Sequence, residues 1–214
     1  MSKNMLHRLG ESILTNPENS LARLRDHLNL QTGDTFRYWE FDIQESLDHI
    51  VFVYHDRDFK GKKLRKLTYS EIQELIPHVC TLEDVLGEFV NYIESPKKLI
   101  HVYGLKPIRV EIKLLFSDIG RTRAVGSILR FKEYLSGKGF TKDNHVQFIA
   151  FPSHFKKTFP NGKKAWWKIS SKNSVDTRQF YREIFQENGL YVLSVKKKFH
   201  GMHVYDLFSE KYVL

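Results

Sequence analysis

The segment 36–58 constrains the chain most, because it carries two short apolar runs that both end in acidic or imidazole side chains. The first run ends at Glu40-Phe41-Asp42 and the second at His55-Asp56. Side chains two residues apart on a strand point to the same face, so Glu40 and Asp42 lie together while Phe41 packs on the other side. Neighbouring carboxylates repel each other unless a positive charge lies between them, and divalent cations take carboxylate oxygens. The pattern predicts either a solvated acidic face or a metal site.

Length and composition indicate an ordinary globular chain. Its 214 residues are 41% hydrophobic and 28% charged, which favours a single domain over 1–214 with a sizeable core. Cys80 is the only cysteine, so no disulfide forms within the chain. The sequence contains neither an apolar start typical of a signal peptide nor an apolar run of the ~18 residues that a spanning helix needs. We therefore expect a soluble protein without a transmembrane segment, located in the cytoplasm.

The net charge is +9, from 34 Lys and Arg against 25 Asp and Glu. Such an excess favours anionic partners such as phosphates, nucleic acids or acidic lipid surfaces. A charged surface that only keeps the protein soluble explains it equally well.

Apolar periodicity predicts strands and helices in alternation, with no repeat and no obvious linker. The predicted helices are 21–30, 68–75, 81–93, 121–135 and 176–187, with caps at Asn19 or Ser20, at Thr68 or Ser70, and at Thr81 with Asp84. The predicted strands are 5–6, 36–43, 49–56, 108–115, 145–151, 165–170, 190–195 and 203–208. This alternation favours parallel strands joined by crossover helices.

Polar residues at or near strand ends form the candidate site. In order they are His7-Arg8, Glu40, Asp42, His55-Asp56, Glu111 and Lys113. Because the carboxyl ends of parallel strands face one site in α/β folds, we expect these side chains to converge. Acids, imidazoles and a fixed positive charge are what metal-assisted attack on a phosphodiester requires.

An ordered set of motifs resembles the glycerophosphodiester phosphodiesterase family. The set is His7-Arg8 with Gly10, Pro17-Glu18-Asn19-Ser20, Glu40-Phe41-Asp42, His55-Asp56, the stretch 67–75, Ile76-Pro77 with 81–86, and Glu111-Ile112-Lys113. The likeness covers about residues 5–115 and weakens towards residue 155. Each motif alone is weak, whereas seven in the same order form a strong signal.

The resemblance implies a TIM-barrel-like (β/α)8 fold and a hydrolase of lipid metabolism that releases sn-glycerol 3-phosphate and an alcohol. It implies that Glu40, Asp42 and Glu111 bind one divalent cation, Mg²⁺ or Ca²⁺. It also implies that His7 and His55 form the acid–base pair, with His55 favoured as the acid, and that Arg8 and Lys113 bind phosphate oxygens. The expected partner is a small phosphodiester and not a nucleic acid.

Three departures from the family pattern have structural consequences. Leu9 is an extra residue before Gly10, so the family pattern no longer fixes the place of this glycine in the tight turn and leaves the aim of Arg8 open. The stretch 76–81 carries an insertion, which a loop accommodates. A (β/α)8 barrel usually needs ~250 residues, so we expect the second half of a barrel of 214 residues to be trimmed or irregular.

Two other functions remain open. The pair Glu111 and Lys113 also fits the second half of a Mg²⁺-dependent nuclease site, but such a site needs an Asp on a nearby strand and 97–107 contains none. A short second half also fits a barrel that binds phosphodiesters without hydrolysing them.

Overall fold

The computed structural model describes residues 3–10, 16–30, 36–95, 105–140, 145–150, 157–158, 164–165, 192–198, 201–206 and 212–213. The chain divides into two compact units, 1–146 and 147–214, and each is described here by itself. No helix in these ranges combines the length and apolarity that crossing a bilayer requires.

The first unit is organised around a long central strand. Its strands are β1 (Lys3–Leu6), β2 (Phe36–Glu45), β3 (Val51–Val53), β4 (Asp58–Phe59), β5 (Lys62–Lys63), β6 (Cys80–Thr81) and β7 (Ile108–Leu114). β2 pairs in parallel with β1 on one side and with β7 on the other. The register of β2 and β7 shifts between Ile43 and Gln44, so the ladder is irregular just after the acidic pair.

The expectation of an all-parallel sheet is wrong at β3 and β6. β3 pairs antiparallel with β2, and β6 pairs antiparallel with β3. Only residues 46–50 connect β2 to β3, and a parallel crossover needs a dozen residues or more. The fold is therefore mixed α/β, with a parallel centre around β2.

The helices of the first unit begin where side-chain caps allow. They are α1 (Leu21–Leu30), α2 (Tyr69–Leu75), α3 (Leu82–Glu94) and α4 (Asp118–Gly137). Thr68 and Thr81 each form a capping box, which confirms both predicted helix starts. α4 begins three residues earlier than predicted because Ser117 accepts a hydrogen bond from the N–H of Gly120.

The core of the first unit lies on the apolar side of β2. Phe41 and Ile43 are fully buried and alternate with the acidic residues of the same strand. α3 buries Leu82, Val85, Leu86 and Phe89, and the Phe89 ring packs edge-on against Trp39 at 5.4 Å. Alternation thus separates an apolar face, which packs, from a polar face, which carries the candidate site.

The second unit contains short strands in the described ranges. They are β9 (Lys157–Thr158), β10 (Lys164–Ala165), β11 (Val192–Lys198), β12 (Gly201–Asp206), β13 (Tyr212–Val213) and most of β8 (Val146–Ala150). β11 pairs in parallel with β8 and antiparallel with β12, which confirms the three strands predicted at 145–151, 190–195 and 203–208. The predicted helix 176–187, and the predicted strand 165–170 after its first residue, lie outside the described residues. Closure into a barrel stays a prediction.

Candidate active site

Three buried carboxylates meet at the centre of the first unit. Glu40 and Asp42 lie two residues apart on β2, and the parallel register places Asp42 opposite Glu111 of β7. Each offers a carboxylate oxygen, and these oxygens lie within 4.8 Å of one another. Alternation along a strand brings the first two together, and the pairing of β2 with β7 adds the third.

Lys113 supplies a positive charge to this cluster. Its Nζ lies 3.1 Å from Oδ1 of Asp42 and also contacts Oε1 of Glu111. Burial alone would lower the pKa of the ammonium group, but attraction to Asp42 and Glu111 raises it above the usual value. Lys113 is therefore charged and offsets part of the acidic cluster.

The remaining negative charge is costly at this depth. Burial, followed by the nearby Asp42 charge, raises the pKa of Glu111 from 4.5 to about 7. Burial, followed by the charges of Asp42 and Glu111, raises the pKa of Glu40 well above its usual value. Both shifts indicate that the cluster holds more negative charge than Lys113 compensates.

Glu40 has one oxygen bound and one free for a ligand. Oε2 accepts a hydrogen bond from the backbone N–H of Arg8 at 3.0 Å and lies 3.6 Å from Nε2 of His7. Oε1 is buried and has no hydrogen-bond partner among the described residues. A buried carboxylate oxygen without a partner, beside two further carboxylates, fits a bound hard cation such as Mg²⁺ or Ca²⁺.

The turn after β1 aims Arg8 at the cluster in spite of the extra Leu9. Arg8 and Leu9 both adopt left-handed backbone angles, with φ of 54° and 61°. The Arg8 guanidinium donates through Nη1 to Glu18 at 2.5 Å, and its Nε lies 3.8 Å from Oδ2 of Asp42. Gly10 ends the turn: its N–H donates to the carbonyl of His7 at 3.0 Å, and at its φ of 146° a Cβ would overlap the buried ring of His27.

Asn19, predicted as a helix cap and as part of the Pro-Glu-Asn-Ser motif, is also a residue of the site. Its side-chain amide donates to Oδ2 of Asp42 at 2.8 Å, and its backbone N–H donates to the carbonyl of Arg8 at 2.8 Å. Ser20 caps α1 instead, because its Oγ accepts from the N–H of Arg23. The sequence signal for Asn19 was the Pro-Glu-Asn-Ser motif. In the structure its φ is 56°, a left-handed angle that asparagine tolerates well.

The two histidines occupy different positions. The ring of His7 lies against Glu40, and burial, followed by the charge of Arg8, lowers the pKa of His7. His55 follows β3, and its Nδ1 pairs with Oδ1 of Asp56 at 2.7 Å. Within the described residues, His55 makes no hydrogen bond or ion pair with the three carboxylates. His7 therefore contacts the carboxylate cluster directly. The ring of His55 pairs only with Asp56 among the described residues, so its position relative to the cluster is set by the backbone of its loop.

Comparison with known proteins finds likeness in structure alone, since no protein-family model and no curated protein matches the sequence. A candidate glycerophosphodiester phosphodiesterase from Galdieria sulphuraria is similar with a TM-score of 0.51 and 13% identity, over 71% of this chain and 57% of that chain. A glycerophosphodiester phosphodiesterase from Parabacteroides distasonis gives a TM-score of 0.48 and 19% identity, over 70% and 57%. An Oleispira antarctica phosphodiesterase in complex with the product sn-glycerol-3-phosphate gives a TM-score of 0.45 and 17% identity, over 70% of this chain and 57% of that chain.

The first of these structures shows that the chain shares the fold of the glycerophosphodiester phosphodiesterases, so the resemblance found in the sequence holds for the fold. The chain spans 57% of the length of each of the three structures.

Proposed function

We propose that the chain hydrolyses glycerophosphodiesters to an alcohol and sn-glycerol 3-phosphate, with one divalent cation, Mg²⁺ or Ca²⁺, bound by Glu40, Asp42 and Glu111. One observation carries the proposal: three buried carboxylates from β2 and β7 meet within 4.8 Å, and one buried oxygen of Glu40 has no partner in the described residues. When bound, the cation would neutralise charge on the phosphoryl oxygens. We also propose that the chain forms one closed barrel domain and acts in the cytoplasm.

Arg8 and Lys113 are proposed to bind the phosphate. A phosphodiester is an anion and gains charge on its equatorial oxygens in the transition state, so fixed cations beside it lower the barrier. Lys113 is buried and charged, and Nε of Arg8 is buried without a hydrogen-bond partner among the described residues. Both groups point at the carboxylate cluster and are therefore suited to hold phosphate oxygens there.

His7 and His55 are proposed as the acid–base pair. The lowered pKa of His7 keeps its ring neutral near pH 7, so its free nitrogen can accept a proton from the attacking nucleophile. His55 would donate a proton to the leaving alcohol oxygen, and Asp56 at 2.7 Å holds its ring through Nδ1. Assigning the base to the histidine beside Glu40 and the acid to the histidine in the loop gives each one a distinct role.

The test compares Glu111→Gln with the wild-type chain on glycerophosphocholine. We expect release of sn-glycerol 3-phosphate that stops with EDTA, returns with Mg²⁺ or Ca²⁺, and falls to background in Glu111→Gln. Glu74→Gln changes the same group on the exposed side of α2 and is the matched control. Undiminished turnover by Glu111→Gln, or turnover that EDTA leaves unchanged, would contradict the proposal.

A Mg²⁺-dependent nuclease is the second candidate, because one specific observation favours it. The sequence around β7 lacks the Asp that such a site needs, but the fold brings Asp42 from β2 opposite Glu111 and beside Lys113. Cleavage of supercoiled plasmid with Mg²⁺ by the wild-type chain, and its loss in Glu111→Gln, would favour the nuclease. Plasmid that stays intact would remove it.

A further inference from the structure

The side chain of Gln44 holds the backbone on both sides of His55. Gln44 belongs to β2, two residues beyond Asp42, and is 1% exposed. Its Nε2 donates to the carbonyl of Tyr54 at 2.8 Å and to the carbonyl of Asp56 at 2.7 Å. A primary amide carries two N–H groups, so both donors of Gln44 are used, one on each flank of His55.

We infer that Gln44 is a positioning residue for His55, acting through these two backbone bonds; the inference rests on the proposed role of His55 in phosphodiester hydrolysis. The only side chain that pairs with the His55 ring in the described residues is that of Asp56, the next residue in the same loop. A partner in the same loop moves with the ring and cannot fix it relative to the carboxylates. The two bonds from Gln44 on strand β2 fix the His55 loop relative to the carboxylates of the same strand.

Two further bonds tie the same loop to the residues of the acidic cluster. The N–H of Tyr54 donates to the carbonyl of Asp42 at 3.1 Å, and Nη2 of Arg57 donates to the carbonyl of Lys113 at 2.8 Å. Residues 54–57 are thus attached to β2 at Asp42 and Gln44 and to β7 at Lys113. Among these attachments, only that of Gln44 brackets His55 through a single side chain, so one substitution can release it.

Substitution of Gln44 by Met separates positioning from charge. Met has nearly the same length and volume but no N–H, so both carbonyls lose their donor and the site gains no charge. The side-chain contacts of Arg8, Asp42 and Lys113 within the cluster do not involve Gln44. Since misplacing a catalytic group by ~1 Å costs about 100-fold in rate, we expect kcat to fall about 10- to 100-fold while KM and divalent-cation affinity stay within about 2-fold.

The experiment has a readout that needs no turnover. Hydrogen exchange followed by mass spectrometry reports, within residues 54–57, on the Tyr54 N–H that donates to the carbonyl of Asp42. In Gln44→Met we expect its exchange to rise about 10-fold while residues 38–43 stay protected. Gln73→Met, at an exposed position of α2, is the matched control and should exchange and turn over as the wild type does. If Gln44→Met does not fold, Gln44→Asn, which is one methylene shorter and reaches at most one carbonyl, takes its place.

A double-mutant cycle with His55→Ala distinguishes positioning of His55 from any other effect on rate. If Gln44 acts through His55, adding Gln44→Met to His55→Ala lowers kcat by less than about 2-fold further. Equal losses in both backgrounds, or unchanged exchange at 54–57, would overturn the inference. If the wild-type chain hydrolyses no phosphodiester, the proposed function fails by itself, and the exchange result alone then decides the role of Gln44.

Discussion

The ammonium group of Lys113 bridges two acidic side chains that come from different strands. It lies 3.1 Å from Oδ1 of Asp42 on β2 and contacts Oε1 of Glu111, two residues before it on β7. The three side chains are between 0% and 9% exposed, so water screens their charges only weakly. Lys113 therefore compensates part of the buried acidic charge in the metal-free chain.

Replacing Lys113 by Met should destabilise the metal-free chain. Breaking a buried ion pair by removing one partner leaves the other charge uncompensated, and we expect a loss of about 3–5 kcal/mol in the free energy of unfolding. A divalent cation that binds the carboxylates should restore part of this loss. Chemical denaturation with EDTA, and again with excess Mg²⁺, measures both values.

Lys66→Met is the control for that measurement, because Lys66 is exposed in the segment after β5. Its substitution should change the free energy of unfolding by less than about 0.5 kcal/mol. A Lys113→Met chain as stable as the Lys66→Met chain would mean that Lys113 does not compensate the cluster.

Glu40→Gln should have opposite effects on stability and on metal binding. The amide oxygen can still accept the N–H of Arg8, while one charge leaves a crowded, fully buried cluster. The metal-free chain should therefore be as stable as the wild type or more stable. Calcium affinity, measured by calorimetric titration, should fall on the order of 100-fold, since it depends on the number of charged ligands.

Glu133→Gln, at an exposed position of α4, should leave both quantities unchanged. Wild-type calcium affinity in Glu40→Gln would rule out Glu40 as a ligand. A large loss of stability in the metal-free variant would show instead that Glu40 is needed for the fold.

Local signals made much of the first unit predictable. The capping boxes at Thr68 and Thr81 lie within four residues of sequence, and the structure has both. Strand direction was not predictable in the same way, because it depends on which segments pair. The short connection 46–50 does require β3 to run back along β2, and this evidence lay in the sequence.

The candidate site shows the same division between local and long-range information. Alternation along β2 indicated that Glu40 and Asp42 share a face, and the order of the motifs pointed to Glu111. The contacts of Asn19 and Gln44 were not predictable. Asn19 lies 23 residues from its partner Asp42, and Gln44 lies 10 and 12 residues from its partners, so both depend on how loops return to β2. Residue type alone did not separate these buried amides from ordinary polar residues.

The contribution of Glu111 to the stability of the metal-free chain should fall as the pH rises towards 7. The pKa of Glu111 is raised to about 7 in the folded chain from an ordinary value of 4.5, so between these limits the folded state holds a proton that the unfolded state has lost. Below this window both states are protonated and above it both are ionised. The loss across it should be about 3 kcal/mol.

Denaturation in EDTA at pH 5, 6 and 7.5 measures this slope. In Glu111→Gln the slope should be smaller, because the titrating group is gone and its amide replacement does not ionise. A slope in Glu111→Gln equal to that of the EDTA-treated wild-type chain would contradict the assignment of the shift to Glu111.

At the start of α4, replacing a helical glycine by alanine should lower stability, although the same change usually stabilises a helix interior. Glu45 is fully buried and accepts the backbone N–H groups of Phe116 and Ser117 at 2.7 and 2.9 Å, which fixes its carboxylate against the first turn of the helix. A Cβ at Gly120 would overlap that carboxylate, whereas a Cβ at Gly87 in α3 meets no atom within 4 Å. The same substitution should therefore have opposite effects in the two helices.

Gly87→Ala should stabilise the chain by up to about 1 kcal/mol, as alanine does in a helix interior. Gly120→Ala should destabilise it by about 1–3 kcal/mol, because the Glu45 carboxylate must move and its buried hydrogen bonds weaken. Thermal and chemical denaturation of both variants measures the difference. Combining Gly120→Ala with Glu45→Ala removes the overlap, so the methyl group should then add little further loss. A Gly120→Ala chain that is more stable than the wild type would show that Glu45 is not held against α4.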